Sequence, residues 1–110
     1  MLVVAGSAAA DDAMLCTSET GDVAIAACTR AINSGAGRPS INYNSRGEAY
    51  HGEGDMDRAI ADYTEALRLD PKYTFAYYNR GDAYRYNGDL DRAIADYTEA
   101  LRLVPGIIAE

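Results

Sequence analysis

Few side chains in this sequence have reactive or metal-binding chemistry. Cys16 and Cys28 are its only thiols, and His51 is its only histidine. The cysteines do not form a C-x-x-C motif and His51 lies in a different part of the chain, so no metal or redox-active site is predicted. The cysteines lie six residues either side of Asp22. Antiparallel helices that meet near Asp22 would bring them level, which leaves two interpretations, a disulfide or two buried free thiols.

Carboxylates are the other groups that acid–base chemistry uses, and here they follow a regular spacing. Six aspartates recur 34 residues apart, as three pairs: Asp55, Asp57, Asp62, Asp89, Asp91 and Asp96. Side chains that recur with a structural period are interpreted as helix caps and solvated helix faces rather than as catalytic pairs. The sequence has no glycine-rich phosphate loop, and Lys72 is its only lysine. These observations predict neither an enzymatic activity nor a cofactor.

A repeated stretch of sequence positions these carboxylates. Residues 57–69 recur letter for letter as residues 91–103, and a period of this length is typical of stacked repeat proteins. The apolar residues of the first copy follow a helical period, and they are Ala59, Ile60, Tyr63, Ala66 and Leu67. The opposite face is expected to be solvated and carries Arg58, Asp62, Glu65 and Arg68. Gly54 and Asp55 predict the turn and N-cap before this helix, and Pro71 predicts its end.

A second helix is predicted in the first half of each unit. One face carries Tyr43, Arg46, Gly47 and Tyr50, and the next unit repeats it with Tyr77, Arg80, Gly81 and Tyr84. A glycine inside an exposed helix costs about 1 kcal/mol relative to alanine. Its place in both units therefore predicts the close approach of a neighbouring helix. Ala59 and Ala93 are the small residues expected across that contact.

In combination, Tyr-x2-Arg-Gly-x2-Tyr, Ala-x3-Tyr and Pro at this spacing resemble the tetratricopeptide repeat. Tyr43 and Tyr77 stand where that pattern has Trp, and Arg46 and Arg80 stand where it has Leu. The resemblance implies an all-α fold, an α-solenoid of about three antiparallel helical hairpins. The expected division is residues 40–73 and 74–107 as regular repeats, 11–39 as a degenerate first repeat with its linker, and 108–110 as a tail. Within the degenerate repeat, helices are expected at 12–18 and 24–32.

The first ten residues have two interpretations. Residues 1–10 are mostly apolar and end in three alanines, as secretory signal peptides do, but no Lys or Arg precedes Arg30. They are therefore either the remnant of a signal peptide or an apolar tail. Their apolar run, residues 2–10, is too short for a transmembrane helix, which needs about 20 residues. The even cysteine number favours an exported protein, and so does a resemblance to exported bacterial members of the family with a cysteine-containing, degenerate first repeat. The expected location is periplasmic or secreted, and otherwise cytoplasmic.

The resemblance also implies where a partner binds. In this family the first helix of each unit lines a concave face. The residues carried over to that face are Asn44, Glu48, Phe75, Tyr78, Asn79, Asp82, Arg85 and Tyr86. Tyrosine and arginine are frequent in binding hot spots, so a protein or peptide partner is expected. Some members clamp a C-terminal carboxylate with lysines, but Ile41 and Phe75 stand at those positions, so that binding mode is not predicted.

An alternative function follows from the end of the sequence. No capping helix follows Pro105, so the last helix is expected to leave apolar side chains uncovered. The candidate interface residues are Ile94, Tyr97, Leu101, Ile107 and Ile108. They predict either a homodimer that forms through the C-terminal end or an origin as a fragment of a longer array.

The overall charge narrows the class of partner. The formal net charge is −7. Nucleic acids and anionic membrane surfaces both require basic stripes on a protein, so neither is predicted to bind this chain. An acidic chain suits a basic or mixed-charge protein partner.

Overall fold

The computed structural model describes residues 8–104. Within this range the chain forms six helices and no strand. The helices are α1 (Ala8–Ser18), α2 (Gly21–Ser34), α3 (Pro39–Gly52), α4 (Met56–Leu69), α5 (Thr74–Tyr86) and α6 (Leu90–Leu103). They pair as the hairpins α1/α2, α3/α4 and α5/α6, and each hairpin packs against the next. This arrangement confirms the predicted all-α array of stacked helical hairpins.

The ends of the regular helices follow from their capping residues. Asp55 Oδ1 accepts a hydrogen bond from the backbone N–H of Arg58 at 3.1 Å, and Asp89 Oδ1 accepts one from that of Arg92 at 3.3 Å. Each cap satisfies one of the N–H groups that a helix start leaves without a partner. Pro39 begins α3, where its missing N–H costs nothing.

The first hairpin is longer than the sequence predicted. α1 begins at Ala8 rather than at Asp12, because alanine has the highest helix propensity and Ala8–Ala10 continue the helix backwards. α2 extends to Ser34 and is capped by Gly35. The φ of Gly35, 76°, is the left-handed conformation in which glycine commonly closes a helix.

A disulfide joins the two helices of this hairpin. Cys16 in α1 and Cys28 in α2 have an S–S distance of 2.06 Å and a Cα–Cα distance of 4.5 Å. Both are buried and pack with Ala27 and Leu15. Of the two sequence interpretations the structure has the disulfide, and it replaces the large aromatic core residue that the regular hairpins carry.

Glycine allows the regular hairpins to close tightly. A Cβ added to Gly47 would lie 2.6 Å from Tyr63 Cε1 and 3.2 Å from the carbonyl oxygen of Ala59. At Gly81 the nearest atom would be Tyr97 Cε1, at 2.8 Å. The predicted close approach is present, but the tyrosine ring presses on the glycine more closely than Ala59 does.

The assignment of Asp62 and Asp96 to a solvated face was wrong. Both are buried, with 5% of each residue exposed. Arg46 donates from Nε and Nη2 to the two oxygens of Asp62, both at 2.8 Å, and Arg80 pairs with Asp96 at the same distances. Each arginine lies inside the hairpin, at a position where the tetratricopeptide pattern that the sequence resembles has leucine. Its guanidinium needs a carboxylate there, since a buried charge without a partner is costly.

The same arginines connect consecutive hairpins. Arg46 Nη1 donates to Thr29 Oγ1 at 3.1 Å, and Arg80 Nη1 donates to Thr64 Oγ1 at 3.2 Å. Each threonine belongs to the second helix of the preceding hairpin. One guanidinium therefore binds its own hairpin and the one before it.

Candidate protein-binding groove

A groove of about 580 Å³ lies between α5 and α6. We call it the α5–α6 groove, and its lining residues are Thr74, Phe75, Tyr78, Asp82, Arg85, Tyr97, Ala100, Leu101 and Val104. Four of them belong to the set predicted to bind a peptide, and Tyr97 and Leu101 belong to the set predicted to form an oligomer interface. The two sets were predicted on different surfaces, but the structure brings six of their residues together in one groove.

The walls of the groove are apolar and open to solvent. Phe75 is 69% exposed, Tyr78 52% and Leu101 42%. The Tyr78 and Tyr97 rings lie 5.7 Å apart between centroids and are inclined at 48°, a spacing typical of interacting aromatic pairs. Exposed apolar side chains that adjoin in this way mark interaction sites more often than isolated ones do.

Polar groups lie along one edge of the groove. The Tyr97 hydroxyl donates to Asp82 Oδ1, and Arg85 Nη2 lies 3.5 Å from the same oxygen. Loss of solvent, followed by the hydrogen bond to Asp82, raises the pKa of Tyr97 to about 12. Tyr97 is therefore a neutral donor at neutral pH. The edge offers a partner one carboxylate and one guanidinium.

Three other residues that were predicted to bind a peptide do not line this groove but join α3 to α5: Asn44, Glu48 and Asn79. Asn79 Nδ2 donates to Asn44 Oδ1 at 3.1 Å and to Glu48 Oε2 at 3.2 Å. Asn44 is only 4% exposed because α5 covers it. These three residues fix how the last two hairpins stack, and so they set the position of the groove.

The remaining predicted residues lie elsewhere. Tyr86 is 71% exposed and lines a separate depression with His51, Asp82 and Arg85. Ile94 is 62% exposed on α6 but does not line the α5–α6 groove. The candidate interface residues Ile107 and Ile108 lie outside the described residues.

Three lining residues were not predicted from the sequence: Thr74, Ala100 and Val104. A signal was present for Ala100, because its counterpart one repeat earlier is Ala66, which was assigned to the apolar face. Thr74 and Val104 lie at helix ends, where neither the apolar period nor the family pattern marks a residue as part of a binding surface.

Metal-binding clusters and membrane-spanning helices are both absent from residues 8–104. In that range no three His, Cys, Asp or Glu side chains converge to hold a metal ion. Likewise, no helix within it has the length and apolar character needed to cross a membrane.

Family profiles match both regular hairpins. A profile described as TPR repeat matches residues 47–85, and a profile described as Tetratricopeptide repeat matches residues 74–106. Together they cover more than half of the chain. This protein belongs to the tetratricopeptide repeat family. Arg46 lies just outside the matched ranges, whereas Arg80 and Asp96, which form the buried ion pair of the last hairpin, lie within the second.

Two crystal structures of MamA are similar to this tetratricopeptide repeat protein. One has a TM-score of 0.69 and 30% sequence identity, and covers 76% of this chain and 48% of MamA. The other has a TM-score of 0.65 and 31% identity, and covers 74% of this chain and 44% of MamA. The chain thus spans about half the length of these structures. No curated protein sequence matches it.

Proposed function

We propose that this protein is a non-enzymatic interaction module that binds a segment of a partner protein in the α5–α6 groove. Tetratricopeptide repeats imply protein–protein interaction in general, and the family is typically non-enzymatic. Our proposal goes beyond this general property of the family because it assigns binding to one groove of this chain.

The observation that carries the proposal is the exposure of Phe75, Tyr78 and Leu101 along one groove. Burial of a large apolar side chain on binding contributes about 1.5–3 kcal/mol, and aromatic residues are enriched in binding hot spots. Asp82 and Arg85 at the edge supply the directional contacts that orient a bound segment. Asp82 and Arg85 also line the neighbouring depression that contains Tyr86 and His51.

Self-association is the second candidate, because Tyr97 and Leu101 also line the α5–α6 groove. A homodimer formed through this end of the array would bury the same side chains that a partner segment would bury. The two functions therefore compete for one surface. They differ in the mass of the protein in solution.

The test is a random peptide display library panned against the full chain. Affinities of the selected peptides are then measured by fluorescence anisotropy. We expect Tyr78→Ala and Leu101→Asp to weaken binding by about tenfold or more. The matched control is Met14→Asp, because Met14 is 60% exposed on α1, outside the groove, and it should leave affinity unchanged. Selected peptides whose affinity is the same for the Leu101→Asp variant would exclude this groove as the binding site.

Light scattering after size exclusion decides the second candidate. A concentration-dependent dimer that Leu101→Asp converts to a monomer would establish self-association. A monomer at every concentration would exclude it and leave the groove free for a different protein.

We also propose an oxidising location, periplasmic or secreted, because the Cys16–Cys28 disulfide is stable only where thiols are not kept reduced. The test is alkylation of the protein in intact producing cells, followed by mass analysis. Full protection of both cysteines supports the proposal, whereas alkylation of both places the protein in a reducing compartment.

A further inference from the structure

We infer that the occupant of the α5–α6 groove is an α-helix from another protein, with two small residues seven positions apart and a side-chain donor between them. This inference rests on the proposed function, because it names the partner of the same groove. It is carried by the internal repeat: one unit earlier, the equivalent groove between α3 and α4 is filled, and the structure shows what fills it.

The helix that fills the α3–α4 groove is α5. Ala76 and Ala83, seven positions apart on α5, are both fully buried. Ala76 packs with Ala66 and Leu67 of α4. Ala83 packs in the cluster that contains Tyr63. Residues seven apart lie on the same face of a helix, and only small side chains let α5 approach this closely.

Polar contacts set the register of α5 in its groove. Asn79, between the two alanines, donates from its amide to Asn44 and Glu48 of α3. The next residue, Arg80, donates to Thr64 of α4 at 3.2 Å. The contact face of α5 therefore has a small residue, a donor three residues later, an arginine four residues later and a second small residue seven residues later.

The α5–α6 groove presents the equivalent receptor residues 34 positions later. Tyr97, Ala100 and Leu101 replace Tyr63, Ala66 and Leu67, and Leu90, which is 57% exposed, replaces the buried Met56. These counterparts repeat the apolar surface that receives α5. Leu90 and Leu101 are exposed where their counterparts are covered, as expected for a groove without its helix.

The polar residues that bind α5 also have counterparts in the α5–α6 groove. Asp82 replaces Glu48, and within the described residues both of its hydrogen bonds reach Oδ1. Oδ2 is thus available to accept from an amide or a cation at the position of Asn79. Thr98 replaces Thr64 and is exposed, so it can accept from an arginine one position later.

Two replacements make the open groove more apolar than its template. Tyr78 stands where α3 has Asn44, and Phe75 stands where it has Ile41. A helix in the open groove therefore makes more aromatic contact than α5 makes with α3. The central donor of such a helix is directed to Asp82 alone, whereas Asn79 of α5 donates to both Asn44 and Glu48.

A second copy of this chain fits the groove poorly. A copy stacked head to tail would present α1, which contains no Asn, Gln, Lys or Arg. It carries Asp11 and Asp12 instead, and these would approach the carboxylate of Asp82. A net charge of −7 also favours a helix with basic residues from a different protein.

The test uses the full chain and a synthetic peptide with the sequence of residues 71–88, labelled at its N-terminus. We expect saturable binding by fluorescence anisotropy and a gain of helical circular dichroism. Leu101→Asp in the chain, or Ala76→Leu with Ala83→Leu in the peptide, should weaken binding by about tenfold or more. Two controls should change affinity by less than about twofold: Tyr86→Leu in the peptide, at an exposed position, and Met14→Asp in the chain.

Peptides selected from the random library are the second probe, since Phe75 and Tyr78 differ from their counterparts. The inference is supported if these peptides carry the small–donor–small spacing and lose binding when proline replaces the central donor. Selected peptides that depend on Leu101 but tolerate this proline would show an extended occupant, so the helix would be wrong while the proposed function stands. If no selected peptide loses affinity for the Leu101→Asp variant, both the helical occupant and the proposed function are wrong. Dimers of the chain that Met14→Asp or Leu101→Asp dissociates would identify a second copy as the occupant and overturn the inference.

Discussion

Arg46 binds both carboxylate oxygens of Asp62 at 2.8 Å, across the two helices of one hairpin. The side chains are 19% and 7% exposed, and the same geometry recurs between Arg80 and Asp96. Hydrogen bonding to Asp62 raises the pKa of Arg46 above its ordinary value, despite the opposing effect of burial. The repeat thus has a polar core element at a position where the family pattern is apolar.

Removal of one partner should destabilise the protein more than removal of both. We expect Asp62→Ala to lower the free energy of unfolding by about 3 kcal/mol, because it leaves a guanidinium buried without its carboxylate. Arg46→Leu combined with Asp62→Leu should cost about 1 kcal/mol or less, since it restores an apolar contact. Urea denaturation measures the change in the free energy of unfolding for both variants. Glu65→Ala, which removes an exposed pair with Arg68, is the control and should cost less than about 1 kcal/mol. An Asp62→Ala variant as stable as that control would contradict the prediction.

Alanine at Gly47 should destabilise the protein although alanine is the better helix former. The added Cβ would lie 2.6 Å from the ring of Tyr63, which is 1% exposed and has no space to move. We expect a loss of about 1–3 kcal/mol, typical of overpacking. Gly81→Ala should cost less, because the Tyr97 ring can shift into the open groove. Gly52→Ala is the matched control, since no atom lies within 4 Å of its Cβ position. Thermal denaturation of the three variants checks the order, and equal costs at Gly47 and Gly52 would refute it.

Reduction of the disulfide should loosen the first hairpin selectively. The Cys16–Cys28 bond spans 12 residues of sequence, and cross-links of this size stabilise by about 3 kcal/mol. We expect the reduced protein, and the Cys16→Ala/Cys28→Ala variant, to exchange amide hydrogens faster in α1 and α2 while α5 and α6 remain protected. Hydrogen–deuterium exchange with mass spectrometry resolves these segments. Uniformly faster exchange along all six helices would show instead that the disulfide stabilises the array as a whole.

The hydroxyl of Tyr97 should make stability depend on pH in the alkaline range. Its pKa is raised to about 12, whereas an unfolded tyrosine titrates near about 10. The folded chain therefore holds this proton more tightly, and the resulting stability is complete below about pH 10 and lost as the pH rises to about 12. Ultraviolet difference titration of the wild type against Tyr97→Phe isolates the group. Asp82→Asn should lower the pKa of Tyr97. A difference signal with a midpoint near pH 10 would be inconsistent with the hydrogen bond to Asp82.

Local patterns in the sequence were sufficient to predict the helices of the regular hairpins. The Asp55 cap and Pro71 predicted the second helix of the first regular unit, which forms α4 at Met56–Leu69. Such signals are local, because a cap and a proline act on neighbouring residues. The start of α1 was missed because residues 8–10 were assigned to the apolar N-terminal segment, although alanine favours a helix.

Contacts between distant residues were the part that sequence patterns did not reveal. A helical period places Asp62 on the polar face, but it does not tell which polar side chain meets Arg46 inside the hairpin. The family pattern placed Asn44 on the concave face, but it does not show that α5 covers it. The pairing of Tyr78 with Tyr97, which unites the two predicted surfaces, depends on the angle between two helices and so requires the structure.

The two arginine–threonine contacts influence the order in which the hairpins unfold. Because Arg46 reaches Thr29 and Arg80 reaches Thr64, the middle hairpin gives an arginine to one neighbour and a threonine to the other. Its opening breaks an arginine–threonine contact on both sides, whereas each outer hairpin opens with the loss of one such contact. Fraying should therefore travel inwards from the ends. A helix held in the α5–α6 groove and bound to Thr98 would hold the last hairpin on its other side as well, so partner binding would also slow the unfolding of the array.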